Sequence, residues 1–180
     1  IMSVSKAYEA ISAKQASHSN PTSRVGGLAA IMALLIGVFL TADQLVFFIV
    51  LSSMPILVAG GLEDIGYNIK PSYRFYAGLV SGFLAIYLTG LWLDNVDFTI
   101  LAPLLSLPFI AIFFTAFASA GISNSINLID GVNGLASGMI TLIGSALCII
   151  SFSVGEIGLG TFCIILIGSI LGIFIWNFTK

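Results

Sequence analysis

Six long runs of uncharged, mostly apolar residues alternate with short polar segments along this chain. Each run is close to the roughly 20 residues that an α-helix needs to cross the hydrocarbon core of a bilayer. The pattern therefore predicts an all-α fold, a polytopic membrane bundle of about six transmembrane helices. The runs cover residues 25–42, 45–62, 75–93, 98–120, 135–154 and 157–178. We interpret residues 1–180 as a single membrane domain, in which residues 1–24 form a polar N-terminal segment.

The charged residues divide between the two sides of this predicted bundle. With six crossings, all six basic residues fall on one side. They are Lys6, Lys14, Arg24, Lys70, Arg74 and Lys180. Cytoplasmic loops carry an excess of Lys and Arg, so we predict that this side, with both chain ends, faces the cytoplasm. The opposite connections hold only acids, for which we predict solvated turns without a catalytic role: Asp43, Asp94, Asp97 and Glu156.

The composition supports a membrane protein and excludes other classes. Hydrophobic residues make up 58% of the chain, charged residues 8%, and the mean hydropathy is +1.12. These values are far from those of a soluble domain. A net charge of -2 leaves no basic surface for a nucleic-acid partner. Cys148 and Cys163 lie inside apolar runs without metal-ligand spacing toward His18, so we predict that both cysteines serve packing.

Prolines and glycines mark where these helices should bend or touch. Pro55, Pro103 and Pro108 lie inside or near the ends of apolar runs, where the missing N–H bends or interrupts a helix. Small residues four positions apart let two helices approach closely. Two glycine pairs with this spacing are candidate helix contacts, Gly134 with Gly138 and Gly168 with Gly172.

The most unusual polar stretch lies between the fourth and fifth runs. Residues 124–138 read N-S-I-N-L-I-D-G-V-N-G-L-A-S-G. Asn124, Asn127 and Asp130 recur every three residues, so on a helical turn they fall along one face and can address one ligand together. A carboxylate beside membrane-spanning segments is costly unless it sits in water or in a site. Asp130 is therefore the first candidate for chemistry.

This stretch resembles the N-x-x-N-x-x-D-G-x-[DN]-G-L-A signature of the polyprenyl-phosphate N-acetylhexosamine-1-phosphate transferases, membrane enzymes that load a sugar phosphate onto a lipid carrier. The resemblance implies that Asn124, Asn127 and Asn133 bind the nucleotide or its phosphates. It implies that Asp130 serves the metal or the catalytic step. Asn133 stands where many members of the family have a second aspartate.

Two further segments resemble motifs of the same family. Residues 21–29, P-T-S-R-V-G-G-L-A, resemble P-T-P-R-x-G-G, which implies substrate-binding roles for His18, Thr22 and Arg24. Residues 60–66, G-G-L-E-D-I-G, resemble the G-x-x-D-D motif, with Glu63 and Asp64 as the catalytic acid pair. An E-D pair followed by an arginine, here Arg74, resembles transferases that begin O-antigen or capsule glycans.

The resemblance also implies a metal ion. An adjacent acid pair can hold Mg²⁺ or take the proton from an attacking lipid phosphate. We expect Asp64 and Asp130 to be the metal ligands, with Mg²⁺ as the cofactor and Mn²⁺ as a substitute. The expectation on geometry is that Glu63, Asp64 and Asp130 converge on one cytoplasmic cleft.

The activity that the resemblance implies is transfer of a HexNAc-1-phosphate from a UDP-sugar to undecaprenyl phosphate in the bacterial inner membrane, releasing UMP and initiating a glycan such as O-antigen. A glycosyl-1-phosphate transferase of the muramoyl-pentapeptide branch is an alternative, disfavoured by Arg24, because that branch usually reads P-T-M-G-G. A small transporter is a second alternative, but its polar groups should lie near mid-membrane. The family's later G-D motif and histidine loop have no match here, which implies a fragment with little activity alone.

Overall fold

The computed structural model describes residues 26–98, 101–129 and 134–178, and their regular secondary structure is entirely helical, which confirms the all-α prediction. Backbone hydrogen bonds close within each helix, so the apolar runs satisfy their own N–H and C=O groups as a bilayer requires. The helices are α1 (Gly26–Thr41), α2 (Gln44–Ser52), α3 (Met54–Asp64), α4 (Pro71–Thr89), α5 (Ala102–Leu105), α6 (Pro108–Ile129), α7 (Leu135–Ser153) and α8 (Ile157–Phe178).

The second apolar run, residues 45–62, is broken into α2 and α3 instead of forming one straight helix. The two helices meet at Ser53 with a bend of 46°. Pro55 lies in the first turn of α3, where its missing N–H costs no helical hydrogen bond, and this confirms the predicted interruption. The Ser53 hydroxyl donates a hydrogen bond to the Val50 carbonyl over 2.7 Å, which satisfies one acceptor at the end of α2.

The fourth run, predicted over residues 98–120, is displaced along the chain. The short helix α5 contains Pro103, and α6 begins at Pro108 and continues to Ile129, past the end of the apolar stretch. The Ser125 hydroxyl donates to the Gly121 carbonyl over 2.8 Å, so this polar side chain is satisfied within the helix. Asn124 and Asn127 consequently lie on the last turns of α6, which confirms their predicted helical geometry.

A close backbone contact joins α4 to α6. Two glycines of α4, Gly78 and Gly82, face Ala120 and Ala116 of α6. A Cβ atom placed on Gly82 would lie 2.9 Å from the Ala116 Cα. The two backbones approach this closely because neither helix places a large side chain between them.

The glycine pairs proposed from the sequence do not make this kind of contact. Among the described residues, no atom lies within 4 Å of a Cβ built on Gly138, Gly168 or Gly172. For these three glycines the prediction of a close helix contact was wrong, because spacing alone does not reveal which face of a helix meets a neighbour. The α7–α8 pair packs instead around Gly144, where a Cβ would lie 3.1 Å from Ile167 Cγ1.

One cluster of buried apolar side chains lies where α2 meets α8. It consists of Val46, Val50 and Phe162, with Leu34, Val38 and Met54 packed against it. Many large apolar side chains elsewhere are exposed, such as Phe39 at 88% and Tyr87 at 83%. An apolar surface this extensive is unfavourable in water and suits contact with lipid tails.

Length and composition support a membrane protein. Within the described residues, α6 and α7 are each long and apolar enough to cross a bilayer, and the bent pair α2–α3 counts as a third span if taken together. Residues Ile31–Thr41 and Ile157–Gly172 form shorter apolar helices. Six crossings, cytoplasmic termini and a single domain stay predictions.

The acids on the predicted outer side occupy turns. The Asp43 carboxylate accepts a hydrogen bond from the Val46 N–H over 3.0 Å and so caps the N-terminus of α2. Asp94, Asp97 and Glu156 are exposed between helices. The prediction of turn positions is confirmed, and Asp43 has a structural role in its cap.

Candidate functional site

A cavity of about 360 Å³ lies between α3, the C-terminal parts of α6 and α8, and the N-terminal parts of α4 and α7. All these helix ends belong to the side that the charge count assigns to the cytoplasm. The volume is within the range of about 300–1,000 Å³ that is usual for small-molecule sites. Apolar residues form much of the wall, and its polar members are Arg74, Ser123, Asn124, Asn127 and Ser137.

The turn between α3 and α4 brings the arginine to this cavity. Gly66 has φ of 103°, a left-handed backbone that side-chain-bearing residues rarely adopt. Here the Tyr67 N–H donates to the Leu62 carbonyl over 3.0 Å, which closes the end of α3. The chain then reverses, and α4 begins at Pro71, so that Arg74 in its first turns comes back beside the end of α3.

An ion pair fixes the position of Arg74. Its Nη1 lies 2.6 Å from Oε2 of Glu63, and the two side chains are 17% and 28% exposed, respectively. The Nε atom of Arg74 is buried and has no hydrogen-bond partner among the described residues. A guanidinium carries five N–H donors in a planar fork, so Arg74 retains donors for a ligand after pairing with Glu63.

The amides opposite this arginine come from α6. Asn124 is half-buried and Asn127 is exposed, and both line the cavity. Their spacing of three residues places them on one face of the helix. Ser137, in the first turn of α7, adds a hydroxyl near backbone N–H groups that have no partner within the helix. A guanidinium, two amides and a hydroxyl are suitable donors for the oxygens of a phosphorylated ligand.

The structure places some of the predicted site residues and leaves others outside its scope. Asn124 and Asn127 share the cavity with Arg74, and Glu63 contacts that arginine. Asp64 is the last residue of α3, and its side chain lies outside the described part. Five predicted residues lie outside the described residues altogether: His18, Thr22, Arg24, Asp130 and Asn133. The convergence of Glu63, Asp64 and Asp130 therefore stays a prediction.

The predicted metal ligands are among the residues without a described side chain. Among the residues that the structure describes, no group of three or more His, Cys, Asp or Glu side chains is close enough to hold a metal ion. Glu63, which the sequence places beside Asp64, directs its carboxylate to Arg74. Asp64 and Asp130 as metal ligands remain a prediction.

Arg74 is the charged cavity residue that the predicted site omitted. On the same loop Lys70 is exposed, as expected of a residue that anchors the chain near lipid headgroups, whereas Arg74 is mostly buried and lines the cavity. The signal in the sequence was the spacing. A glycine that permits a tight turn, Gly66, lies between the acid pair and the arginine, so the chain can fold back on itself.

The amino-acid sequence matches the model of a known protein family over most of its length. Residues 46–180 match the model of Glycosyl transferase family 4. The "Probable undecaprenyl-phosphate N-acetylglucosaminyl 1-phosphate transferase" of Bacillus subtilis is 29% identical over 164 residues, which is 89% of this chain and 45% of that protein. No solved structure shows a significant match.

Relatives of a second kind match a shorter part of the chain. The "Phospho-N-acetylmuramoyl-pentapeptide-transferase" of Staphylococcus carnosus is 37% identical over 83 residues, or 46% of this chain and 25% of that protein. The protein of the same name from Clostridium perfringens is 34% identical over 99 residues, or 55% of this chain and 31% of that protein. The chain thus spans less than half the length of each of these relatives.

The region that matches the family model contains the whole cavity. Its lining residues run from Ile56 to Ile170, inside the matched residues 46–180. That match covers well over half of the chain, and it agrees with the resemblance carried by the three motifs. The chain therefore belongs to Glycosyl transferase family 4.

Proposed function

We propose that the full protein transfers a HexNAc-1-phosphate from a UDP-sugar to polyprenyl phosphate, with release of UMP, at the cytoplasmic face of the bacterial inner membrane. The observation that carries this proposal is the cavity in which Arg74, Asn124 and Asn127 come together within the region that matches the family. One substrate is a membrane lipid and the other a soluble nucleotide sugar. A site at the ends of membrane helices is accessible to both.

The polar residues of the cavity suit the chemistry of phosphoryl transfer. An oxygen of the lipid phosphate attacks the phosphorus that carries the sugar, a new P–O bond forms, and the P–O bond to UMP breaks as UMP takes the electron pair. Catalysis of such a step depends on positioning and on stabilising negative charge. In the proposal, Arg74 pairs with a phosphate oxygen, and the amides of Asn124 and Asn127 hydrogen-bond to the nucleotide or its phosphates.

A divalent cation, Mg²⁺ or Mn²⁺, is part of the proposal, with Asp64 and Asp130 as its ligands. One or two carboxylates with phosphate oxygens form a donor set that suits Mg²⁺, and the bound ion would neutralise charge on the diphosphate. The backbone supports this choice, because Asp64 ends α3 and Asp130 directly follows Ile129, the last residue of α6. The cavity lining includes Gly60, four residues before Asp64, and Asn127, three residues before Asp130.

For the branch of the family, we propose the GlcNAc-type transferases that initiate cell-surface glycans such as O-antigen. The Bacillus subtilis relative, whose name describes GlcNAc-1-phosphate transfer, aligns over 89% of the chain. Arg24 in the P-T-S-R segment supports the same branch. The muramoyl-pentapeptide branch is the second candidate, and the 37% identity to the Staphylococcus carnosus protein favours it over the shorter segment.

A radiolabel transfer assay tests the proposal and separates the two branches. Membranes that contain the full-length protein receive Mg²⁺, undecaprenyl phosphate and one labelled donor at a time, either a UDP-HexNAc or UDP-MurNAc-pentapeptide. We expect label from a UDP-HexNAc to enter the lipid fraction and added UMP to reverse the transfer. Label from the pentapeptide donor alone would establish the second candidate, and no transfer from any donor would refute the reaction.

In the same assay we predict that Asn124→Ala lowers kcat/KM for the nucleotide sugar. A hydrogen bond to a charged group is worth about 1.5–3 kcal/mol, so the loss should be about 10- to 100-fold. Asn95→Ala is the matched control, because Asn95 is an exposed asparagine in the connection after α4, outside the cavity. An Asn124→Ala variant as active as the Asn95→Ala variant would remove Asn124 from the site.

A further inference from the structure

We propose that Glu63 is a positioning residue that holds Arg74 against the cavity wall, where the free donors of the guanidinium bind the diphosphate of the nucleotide sugar. This inference rests on the proposed function and makes it more specific. It gives Glu63 a different role from that of metal ligand or proton acceptor, which the acid-pair motif implies.

The first observation is that only one of the two paired side chains lines the cavity. Arg74 lines the cavity, whereas Glu63 is not among the lining residues. The carboxylate therefore approaches the guanidinium from behind, through the contact of 2.6 Å between Oε2 and Nη1. A carboxylate oxygen engaged at this distance is directed at the arginine rather than at a ligand in the cavity.

The second observation concerns the donors that Arg74 has left. Its Nε is buried without a hydrogen-bond partner among the described residues. A buried donor without a partner is unfavourable, and a phosphate oxygen in the cavity would supply one. The planar guanidinium fork suits this arrangement, because one part can pair with a carboxylate while the rest pairs with a phosphate. Asn124 and Asn127 line the same cavity and would contact the same ligand.

Stability alone is a weak explanation of this ion pair. Both side chains are mostly buried, and in such a pair the cost of removing two charges from water offsets most of their mutual attraction. What the pair does achieve is to fix the direction of a long, flexible side chain. An arginine fixed in this way loses less conformational entropy when it binds a ligand.

A double-mutant cycle with Glu63→Gln, Arg74→Gln and the double variant tests the inference in the full-length protein. We expect Glu63→Gln to raise KM for the UDP-sugar about tenfold, the scale of one charge-assisted hydrogen bond, with little change in kcat. Arg74→Gln should raise KM further. If Glu63 acts only through Arg74, Glu63→Gln should add nothing in the Arg74→Gln background. The Mg²⁺ concentration for half-maximal activity should stay the same in all variants.

Two further variants keep the test specific. Lys70→Gln removes one positive charge from the same loop at an exposed position, and we expect its KM to stay at the wild-type value. Arg74→Lys keeps the charge but loses the planar fork, so its KM should lie between those of the wild type and Arg74→Gln. Should the glutamine variants fail to fold, Glu63→Asp and Arg74→Lys supply the same comparison through smaller changes.

Several results would overturn the inference while the proposed function stands. Additive effects of the two substitutions, a raised Mg²⁺ requirement in Glu63→Gln, or a fall in kcat at constant KM would each assign Glu63 to the metal or to the chemical step. If the wild type transfers no label at all, the proposed function fails separately. Calorimetric titration with UDP then decides on Arg74 alone: weaker binding by Arg74→Gln supports a diphosphate contact, and equal binding refutes it.

Discussion

At the scale of single residues, the position of the cavity arginine depends on the turn between α3 and α4. Gly66 has φ of 103°. Its N–H donates a hydrogen bond to the Glu63 carbonyl, and the next N–H, that of Tyr67, donates to the Leu62 carbonyl. Any residue with a Cβ atom is strained in this conformation. The turn therefore reverses the chain after α3, so that Arg74 of α4 comes within ion-pair distance of Glu63.

We predict that Gly66→Ala destabilises the protein and weakens substrate binding together. The backbone strain should cost about 1–3 kcal/mol, and relief of that strain should displace Arg74 and raise KM for the UDP-sugar. Thermal unfolding in detergent and the transfer assay measure the two effects. Gly61→Ala is the control, because Gly61 lies inside α3 with no described atom within 4 Å of a built Cβ. A Gly66→Ala variant as stable as the control would show that the turn does not constrain the site.

The sequence was informative about single residues where the signal was local. The spacing of Asn124 and Asn127 predicted one helix face, and the structure has that face at the cavity. For Arg74 the charge count predicted only the side of the membrane, and the spacing after Gly66 permitted a reversal of the chain. The direction of its side chain depends on the reversal at Gly66 and on the partner Glu63, which are tertiary features that neither charge counting nor hydropathy can detect.

At the scale of helices, the contact between α4 and α6 holds together the two helices that carry Arg74 and the cavity asparagines. Arg74 lies near the start of α4, and the two asparagines lie near the end of α6. Farther along the two helices, Gly82 of α4 packs directly against the backbone of Ala116 of α6. The one glycine of α6, Gly121, lies in more open surroundings, with no described atom within 4 Å of a built Cβ.

We predict that Gly82→Ala forces α4 and α6 apart. The new Cβ would lie 2.9 Å from the Ala116 Cα, and a backbone atom cannot move aside as a flexible side chain can. Overpacking of this kind costs about 1–3 kcal/mol, which should appear as a lower midpoint of thermal unfolding in detergent. Gly121→Ala is the matched control on α6, since no described atom lies within 4 Å of its built Cβ. Equal midpoints for the two variants would contradict the close contact.

Hydropathy predicted which parts of the chain are helical better than where each helix starts and stops. The fourth run was ended too early because the residues after Ala120 turn polar, yet backbone hydrogen bonds continue to Ile129 irrespective of side-chain polarity. The break at Ser53 had a local cause, Pro55, and was foreseen. The choice of Gly78 and Gly82 as the contact pair depends on which helices become neighbours, and the local pattern carries no such information.

At the scale of the whole molecule, the proposed reaction requires the cavity to face the cytoplasm. The positive-inside rule places the α3–α4 connection, with Lys70, on that side and the connection after α4, with Asp94 and Asp97, on the other. The α4 helix has 19 residues, and at about 1.5 Å per residue it is close to the roughly 30 Å of a hydrocarbon core. Its composition is more polar than that of α6 and α7, and it is not among the helices that qualify as spans by composition.

Crossing of the membrane by α4 is therefore the sharpest test of topology. We predict that a membrane-impermeant maleimide labels Asn95→Cys in spheroplasts but labels Asn68→Cys only after the membrane is permeabilised. Both positions are exposed, and Cys148→Ser with Cys163→Ser removes the two thiols of residues 1–180 from the background. Labelling with the opposite preference would turn the cavity away from the cytoplasmic nucleotide sugar. Labelling of both positions from one side would show that α4 does not cross, and the cavity would then need another route to the lipid phosphate.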